Sequence, residues 1–486
     1  MAFADAEWAL AALTNERRTA YAKARDYYGG NQNLTFATEK FLSVFGTLFR
    51  ELADNLCAPV VDSLTDRLRI VDWTSSTDAS LLDPARRIWR RNRMRSRANE
   101  LHREATLTGD GYLVVDWSID DAGRPVGGSA AVWPQKAEQV TVEYSTTEPG
   151  KIARAARAWD DEEGTRVNVY LPDRIEKYLQ KMPDPGPAWI SANAWLPPTA
   201  VAPAAITFLA AVENPYGTVP VFHFPNKRLY EPGVSQLVDV MPLQDALNKA
   251  LCDMLVAMEF SAFPQRWATG IDVGPTGADG KPLSPPFDYG NDRMLTVTEI
   301  EAKFGAFPTA DLRQYVEVLE NARAEIARVS GTPLHYLFIT RGDFPSGEAM
   351  KSAEARFTRA LEDRQDSWGD SWADVMRLAL RIEGEQAAAD PDTDIAAEWE
   401  DAAPHSDGML NDRLRVEKEL GVPERWLFKK LGYSDTDVDE MLVETEERRD
   451  AVAEQFAPAA DSPSFANGRA PSDDAAARSE AQPARR

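Results

Sequence analysis

The sequence predicts an α+β, mainly helical protein with several domains. Three observations support this class. Two long helical patterns enclose an insert rich in Gly and Pro, a third long helical pattern follows them, and residues 133–224 contain short strand patterns separated by turn residues. The 486 residues correspond to roughly three domains of ordinary size, and 43% of them are hydrophobic, enough to bury cores.

The composition excludes several classes of protein. The 78 acidic residues outnumber the 54 basic ones, so the formal net charge is −24, which argues against strong non-specific binding of phosphate backbones. Cys57 and Cys252 are far apart in helical patterns, so they predict buried thiols in a reducing compartment rather than a disulfide framework or a zinc site. Neither a signal peptide nor an apolar run of membrane-spanning length is visible, which predicts no membrane association.

The N-terminal third predicts three helices. The first begins near Trp8 and stops at Gly29-Gly30. The second covers Phe41–Leu56 and continues after Pro59 to Leu68. The third is expected as one continuous helix between Asp83 and Gly109, with Asp83 as N-cap and Pro84 in the first helical position.

Short apolar runs between turn residues predict the strands. The expected strands are Arg69–Trp73, Gly111–Trp117, Val140–Tyr144, Ala155–Trp159, Arg166–Leu171, Glu176–Tyr178, Val219–Phe224, Arg266–Ile271, Arg293–Val297 and Ile395–Trp399.

Three long helices are predicted after residue 233: Val234–Ala262, Thr309–Ser330 with Thr309 as N-cap, and Ser346–Glu383 with Gly369 as a kink candidate. The first two carry apolar stripes at helical spacing. The stripes consist of Leu243, Leu247, Leu251, Leu255 and Met258 in the first helix, and of Leu312, Tyr315, Val316, Leu319, Ile326 and Val329 in the second. Shorter helices are expected at Gly408–Leu420, Pro423–Leu431 and Asp435–Ala453, and the composition from Ala457 onward predicts disorder.

Two segments resemble known ligand-binding motifs, but each lacks a residue that the motif requires. Gly277–Pro282 resembles a phosphate-binding loop, but Pro275 replaces its first glycine and Pro282 its hydroxyl residue. The acidic residues from Asp435 to Glu446 resemble a calcium loop, but Glu440 replaces its central glycine. The four histidines are scattered and no catalytic motif occurs, so the sequence predicts no enzyme, no cofactor and no metal.

A cluster of arginines is the exception in this acidic chain. Arg86, Arg87, Arg90, Arg91, Arg93, Arg95 and Arg97 all fall on one predicted helix. They are either a surface for an anionic partner, such as nucleic acid or an acidic protein, or a solvated helix face balanced by acids on neighbouring elements or subunits. The sequence favours the solvated face and leaves both interpretations open.

The two long helices around a small insert are hard to bury in one compact globule. Identical copies arranged in a closed ring would cover their apolar stripes through head-to-tail interfaces. A lumen with mainly negative walls would then let a polyanion slide without capture.

The order of several short motifs carries a resemblance to a known family. The motifs are Tyr27–Gln32, Asn55–Val61 followed by Leu64–Leu68, Gly217–Val221, Pro242–Lys249, Ser346–Lys351, Glu398–Asp401 and Leu431–Ser434. In this order and spacing the chain resembles the bacteriophage portal protein family, specifically the SPP1-like portals of long-tailed phages that infect actinobacteria. The resemblance extends to about Gln455.

The resemblance implies a portal-like fold that assembles into a ring of roughly twelve subunits at one capsid vertex. Double-stranded DNA would be packaged, retained and ejected through this ring. The implied partners are the terminase large subunit, the head–tail connector or adaptor, and the major capsid and scaffold proteins, in a protein assembled in the host cytoplasm and located in the virion. The alternatives are another oligomeric head–tail connector or capsid structural protein and, more distantly, a carbohydrate-active enzyme.

The resemblance also implies the roles of the segments. They are a wing at 1–233, stem helices at 234–262 and 308–331, a clip at 263–307, a tunnel loop at 332–345, a long kinked helix at 346–384, a crown or wing region at 385–456 and a disordered tail at 457–486. The DNA-facing residues of the tunnel loop would be Arg341, Gly342, Asp343 and Phe344. The stem would pack through Leu243, Leu247, Leu251, Leu255, Leu312, Leu319 and Ile326.

Overall fold

A computed structural model describes most of the chain. The described residues are 2–13, 16–32, 54–118, 128–181, 206–262, 266–269, 301, 303–306, 311–337, 347–390, 393–403, 407–431, 438–439, 441–445 and 448. The predicted helix Phe41–Leu56 therefore lies almost wholly outside the described residues, as do the predicted strand Arg293–Val297, the tunnel-loop residues Arg341–Phe344 and the tail from Ala457. Residues 1–403 and 404–486 form two compact units.

Helices and strands alternate irregularly along the chain. The helices are α1 (Ala2–Leu13), α2 (Glu16–Tyr28), α3 (Cys57–Thr65), α4 (Leu82–Arg91), α5 (Met94–Thr108), α6 (Met241–Ala262), α7 (Arg313–Ser330), α8 (Leu334–Leu337), α9 (Gly347–Ile382), α10 (Asp407–Glu419) and α11 (Glu424–Lys430). The strands are β1 (Ile70–Thr74), β2 (Asp110–Asp116), β3 (Ala131–Gln135), β4 (Val140–Tyr144), β5 (Ile152–Asp160), β6 (Gly164–Tyr170), β7 (Arg174–Lys181), β8 (Ile206–Glu213), β9 (Val221–Pro225), β10 (Arg266–Thr269), β11 (Lys303–Ala306) and β12 (Ala396–Trp399).

The strands form antiparallel sheets in the first unit. Strands β4 to β8 make a five-stranded meander in sequence order, and β2 lies between β3 and β9 in a three-stranded sheet. Helix α1 covers one face of the meander, where Ala6 and Ala9 are buried with Val167, Val169 and Tyr178. Strand β1 pairs with β12 across a long stretch of sequence.

The largest core lies between α9, the three-stranded sheet and helices α4 and α5. Four aromatic side chains, Trp73, Phe224, Trp368 and Trp372, are buried there. Trp89 joins them edge-on, with its ring centroid 5.2 Å from that of Trp372. Because α9 places an aromatic or aliphatic side chain on this face at nearly every turn, its burial explains why so long a helix forms.

Helices α6 and α7 pack against each other as a hairpin. The antiparallel strands β10 and β11 follow α6 and precede α7, so they extend the same hairpin. Leu247, Leu319 and Ile326 are buried in a core shared with α2 and α3. This part of the predicted stripes is therefore covered within a single chain, which the sequence pattern alone did not indicate.

The prediction of one continuous helix from Asp83 to Gly109 is wrong, because the helix is interrupted between α4 and α5. Arg93 adopts a left-handed conformation with φ of 53°. The buried Asn92 fixes the break: its Nδ2 donates to the carbonyls of Ile88 and Ala130, and its Oδ1 accepts from the amide of Val132, all at 3.0 Å. The N-cap is Leu81 rather than Asp83.

Other elements also differ from the sequence predictions. Helix α6 begins at Met241 instead of Val234, because residues 234–240 form turns held to Thr106 and Asn226. Helix α7 begins at Arg313 with Leu312 as N-cap, and the predicted cap Thr309 lies outside the described residues. Strand β8 escaped prediction because its central residues are exposed and do not alternate.

The second unit contains α10 and α11. Lys430 at the end of α11 contacts both carboxylate oxygens of Glu417 in α10, at 2.7 and 2.8 Å. Among the described residues of the whole chain, no helix is both long and apolar enough to cross a bilayer. The described residues also contain no group of three His, Cys, Asp or Glu side chains that could hold a metal ion.

Candidate functional site

The α6–α7 hairpin is anchored to the N-terminal helices by a buried network of amides. Gln244 on α6 accepts a hydrogen bond from the amide of Leu56 at 3.0 Å, and its Nε2 donates to the carbonyl of Asp54 at 2.6 Å. The Gln244 side chain is fully buried. It therefore satisfies backbone groups that lie just before α3 and that would otherwise be unpaired in the core.

Asn248, one turn further along α6, extends this network. Its Oδ1 accepts from Gln244 Nε2 at 3.1 Å and from the amide of Asp54 at 3.2 Å, while its Nδ2 donates to Gln32. Gln32 in turn donates to Asn55 Oδ1 at 3.0 Å. The amides of three separate segments thus hold the root of the hairpin in one geometry.

Charged and phenolic groups surround this amide network. Tyr27 donates its hydroxyl to the carboxylate of Asp245 on α6, with O–O distances of 2.7 and 2.8 Å. Arg323 on α7 reaches Asp54 Oδ2 at 2.7 Å. Both helices of the hairpin are therefore tied to the segments that flank residues 33–53.

A second polar cluster joins the beginning of the predicted tunnel loop to helix α9. His335 and Tyr336, which precede the segment 338–346, bond to Glu354 Oε1 at 2.9 and 3.0 Å, and Glu354 follows that segment on α9. Arg67 completes the cluster through Glu354 Oε2 at 3.4 Å and through the Tyr336 hydroxyl. Burial raises the pKa of Tyr336 to about 12, so its hydroxyl stays protonated and keeps donating.

Arg364 on α9 is a buried cation with neutral partners. Its guanidinium donates to Asn226 Oδ1 at 3.0 Å, to Gln236 Oε1 at 3.1 Å and to the carbonyl of Ala360 at 2.6 Å. Burial lowers its pKa to about 10, so it remains charged at neutral pH. Gln236 also donates to the carbonyl of Ser330 at the end of α7, at 2.9 Å. This chain of bonds couples the long helix α9 to the hairpin.

The environments of the two cysteines make their thiols unreactive. Both are free and buried. Burial raises the pKa of the Cys57 thiol to about 12, and burial also raises the pKa of Cys252.

The predicted arginine cluster divides into paired and exposed members. Arg86 bonds both carboxylate oxygens of Asp72, at 2.7 and 2.6 Å, and Arg91 pairs with Glu383. Arg97 stacks on the ring of Trp133 at 4.1 Å. These three therefore serve contacts within the chain.

The remaining arginines are exposed and, within the described part of the chain, make no ion pair: they are Arg87, Arg90, Arg93 and Arg95. Arg90, Arg93 and Arg95 line a surface groove of about 820 Å³ together with Arg69. We call this feature the arginine groove. Its lining also includes the apolar Val71 and the acidic Glu400.

A family-level comparison matches residues 13–455 to the family described as phage portal protein, SPP1 Gp6-like. The matched region spans most of the chain, including the hairpin and its root. The chain belongs to this portal protein family. The resemblance inferred from the sequence motifs is thereby confirmed.

Curated relatives in the portal family agree with this assignment. The chain is 24% identical to the portal protein of Mycobacterium phage D29 over 404 residues, covering 78% of this chain and 76% of that protein. It is 28% identical to the portal protein of Mycobacterium phage L5 over 235 residues, covering 44% of this chain and 48% of that protein.

Solved structures give a weaker similarity. A chain in the neck of a native gene transfer agent particle, computed with C12 symmetry, matches with a TM-score of 0.44 and 13% identity, covering 87% of this chain and 98% of that chain. A chain of the virion of a native gene transfer agent matches with a TM-score of 0.44 and 15% identity, covering 83% and 94%.

The portal motifs acquire physical roles in this structure. Tyr27 and Gln32, Asn55, and Gln244 and Asn248 come from three separate motifs and meet at the hairpin root. Sequence reasoning did not assign this contact, although the amide side chains present in all three motifs were a signal for it. Glu354, two turns into α9, carried no such signal.

The predicted stem residues occupy different environments. Leu247, Leu319 and Ile326 are buried, and Leu243 and Leu251 are partly buried against the same core. Leu255 and Leu312 are also partly exposed. Met258 and Val316 of the predicted stripes remain exposed, as does Val318, which was not predicted as a stem residue.

Proposed function

We propose that this portal-family chain assembles into a closed ring of about twelve copies whose channel conducts double-stranded DNA during packaging, retention and ejection. Membership of the portal family is the observation that carries the proposal. The ring sits at a capsid vertex of the virion after assembly in the host cytoplasm. It docks the terminase large subunit and later the head–tail connector, and it contacts the major capsid and scaffold proteins.

The α6–α7 hairpin supports the ring. Val316 and Val318 on α7 are 48% and 51% exposed. Residues two apart on a helix do not share a face, so these two valines flank the buried stripe on opposite sides. A ring places a neighbouring copy on each side of every hairpin, which would cover both valines.

Each segment takes a role in this proposal. Residues 1–233 form the wing, α6 and α7 the stem, 263–307 the clip, 346–384 the long helix and 385–456 the crown or further wing. The segment 332–345 is the tunnel loop, with Arg341, Gly342, Asp343 and Phe344 facing DNA. The cluster of Arg67, His335, Tyr336 and Glu354 ties the beginning of this loop to helix α9.

Deleting residues 342–344 tests the DNA-facing role. A phage that lacks its portal gene would be complemented with the full chain or with the deletion, and packaged DNA per capsid would be measured. We expect rings to assemble in both cases and packaged DNA to fall with the deletion. Removing residues 484–486 is the control and should leave packaging unchanged. Normal packaging by the 342–344 deletion would refute the tunnel-loop assignment.

A further inference from the structure

The arginine groove carries unbalanced positive charge on an acidic protein. Arg69, Arg90, Arg93 and Arg95 are exposed around an apolar surface to which Trp89 and Met94 also contribute. Arginine and tryptophan beside a concave apolar surface are characteristic of the centre of a protein interface. Val71 in this groove is 60% exposed, so the surface is open in the single chain.

Helix α9 carries the opposite charge on its outer face. Asp363, Asp366, Asp370 and Asp374 are exposed at spacings of three or four residues, so they share one face, which we call the acidic face. The buried side chains Trp368 and Trp372 lie on the other side of the helix.

Part of this acidic charge is neutralised within the chain. Asp363 pairs with Arg359 at 3.3 Å, and Asp374 pairs with Arg377 at 2.6 Å. Asp366 and Asp370 have no ion-pair partner among the described residues. Two like charges one turn apart repel each other, so an external cation would stabilise this face.

We propose that the arginine groove of one copy receives the acidic face of α9 from the neighbouring copy. This inference rests on the ring of the proposed function. Copies with a net charge of −24 repel one another, so a stable contact between them needs a locally complementary pair of surfaces. Because the groove and the acidic face lie on different elements, the contact is head-to-tail, the type of interface that closes into a ring.

The lining of the groove favours a protein helix over nucleic acid. The exposed side chain of Val71 and the apolar wall would gain from contact with the apolar stems of a helix surface. The occupant we assign is therefore a second copy of this chain.

Charge reversal tests the contact without touching buried residues. The variants are Arg90→Glu with Arg93→Glu, and Asp366→Arg with Asp370→Arg. We expect each double variant to remain folded by circular dichroism and to need a protein concentration higher by about tenfold or more for ring formation. Arg87→Glu with Arg228→Glu, which changes the charge equally outside the groove, is the matched control and should assemble normally.

Mixing the two double variants gives the sharper result. Each variant keeps one intact surface and carries one reversed surface that complements the other variant. We expect the mixture to regain rings in which the two chains alternate, measured by native mass spectrometry with one chain isotopically labelled.

The outcomes separate this inference from the proposed function. Wild-type rings with normal assembly of both double variants would overturn the inference and leave the portal ring intact. Normal assembly accompanied by weaker binding of a short DNA duplex to the groove variant would assign the groove to DNA and overturn it too. Failure of the wild-type chain to form rings would overturn both proposals.

Discussion

At the scale of single residues, His102 is the most sharply defined titratable group. Its Nδ1 faces the carbonyl of Leu68 at 2.9 Å, and the indole N–H of Trp372 donates to its Nε2 at 2.9 Å. A carbonyl only accepts and an indole N–H only donates, so only the neutral ring with its proton on Nδ1 satisfies both partners. Burial lowers its pKa from 6.5 to about 4.

This histidine makes stability depend on pH. Below pH 6.5 the unfolded chain binds a proton that the folded chain refuses until about pH 4, so the free energy of unfolding falls as pH drops through this range. The loss from this group is about 3 kcal/mol. Urea unfolding across the range measures it. The His102→Gln variant cannot titrate at this position, so between pH 6.5 and pH 4 it should lose less stability than the wild-type protein by about that amount. Equal losses in both proteins would contradict this role of His102.

Gly109 is required by space as well as by backbone conformation. It ends α5 with φ of +100°, and an added Cβ would lie 2.8 Å from the amide nitrogen of Ser235 and 2.9 Å from the carbonyl carbon of Val234. Backbone cannot move aside as a flexible side chain can, so we expect Gly109→Ala to destabilise the protein by about 3 kcal/mol or more.

Gly217 is the matched control for this substitution. Its φ is +67°, but no atom of the described residues lies within 4 Å of an added Cβ. Gly217→Ala therefore meets only the backbone penalty, about 1–2 kcal/mol. Urea unfolding of both variants measures their free energies of unfolding. Equal losses would show that the close backbone approach at Gly109 does not add to the cost of the substitution.

At the scale of elements, the amide network fixes the hairpin root. Replacing Gln244 by Leu preserves its approximate volume but leaves the amide of Leu56 and the carbonyl of Asp54 without their partner. We expect a loss of about 2–4 kcal/mol in the free energy of unfolding. Lys249→Met on the same helix removes a partly exposed pair with Asp253 and leaves the amide network intact, so it should change stability by less than about 1 kcal/mol. Similar losses for both would refute a special role for the network.

The sequence predicted helices and strands correctly wherever buried apolar residues recur with one regular period. Helix α9 and strand β4 were predicted nearly residue for residue, because their apolar positions match one period throughout. The break at Arg93 could not be predicted, since it depends on a buried Asn92 that bonds to residues 130 and 132, distant in sequence. Strand β8 was missed because its place comes from pairing with β7 rather than from alternation.

The site was predictable in part. The motifs that indicated the portal family also supply the hairpin root, but their contact is tertiary and could not be inferred from spacing. The arginine cluster was visible in the sequence. Which members are paired depends on Asp72 and Glu383, which approach only in the folded chain.

At the scale of the whole molecule, the exposed flanks of α7 predict how copies meet. Val316→Asp or Val318→Asp places a charge on one flank, and a buried unpaired charge strongly disfavours an interface. We expect either variant to weaken ring formation while stability of the isolated chain changes by less than about 0.5 kcal/mol. Sedimentation velocity measures the assembly. The isosteric Val316→Thr and Val318→Thr variants should have smaller effects. Unaltered assembly of both Asp variants would show that neighbouring copies do not cover these valines.

Closed assembly is the claim on which the account depends most. Native mass spectrometry of the purified chain, followed over dilution, measures it directly. The account predicts one dominant species containing about twelve copies of the 53.9 kDa chain, with a central channel visible by electron microscopy. A chain that remains monomeric at every concentration, or that forms open polymers without a channel, would contradict it.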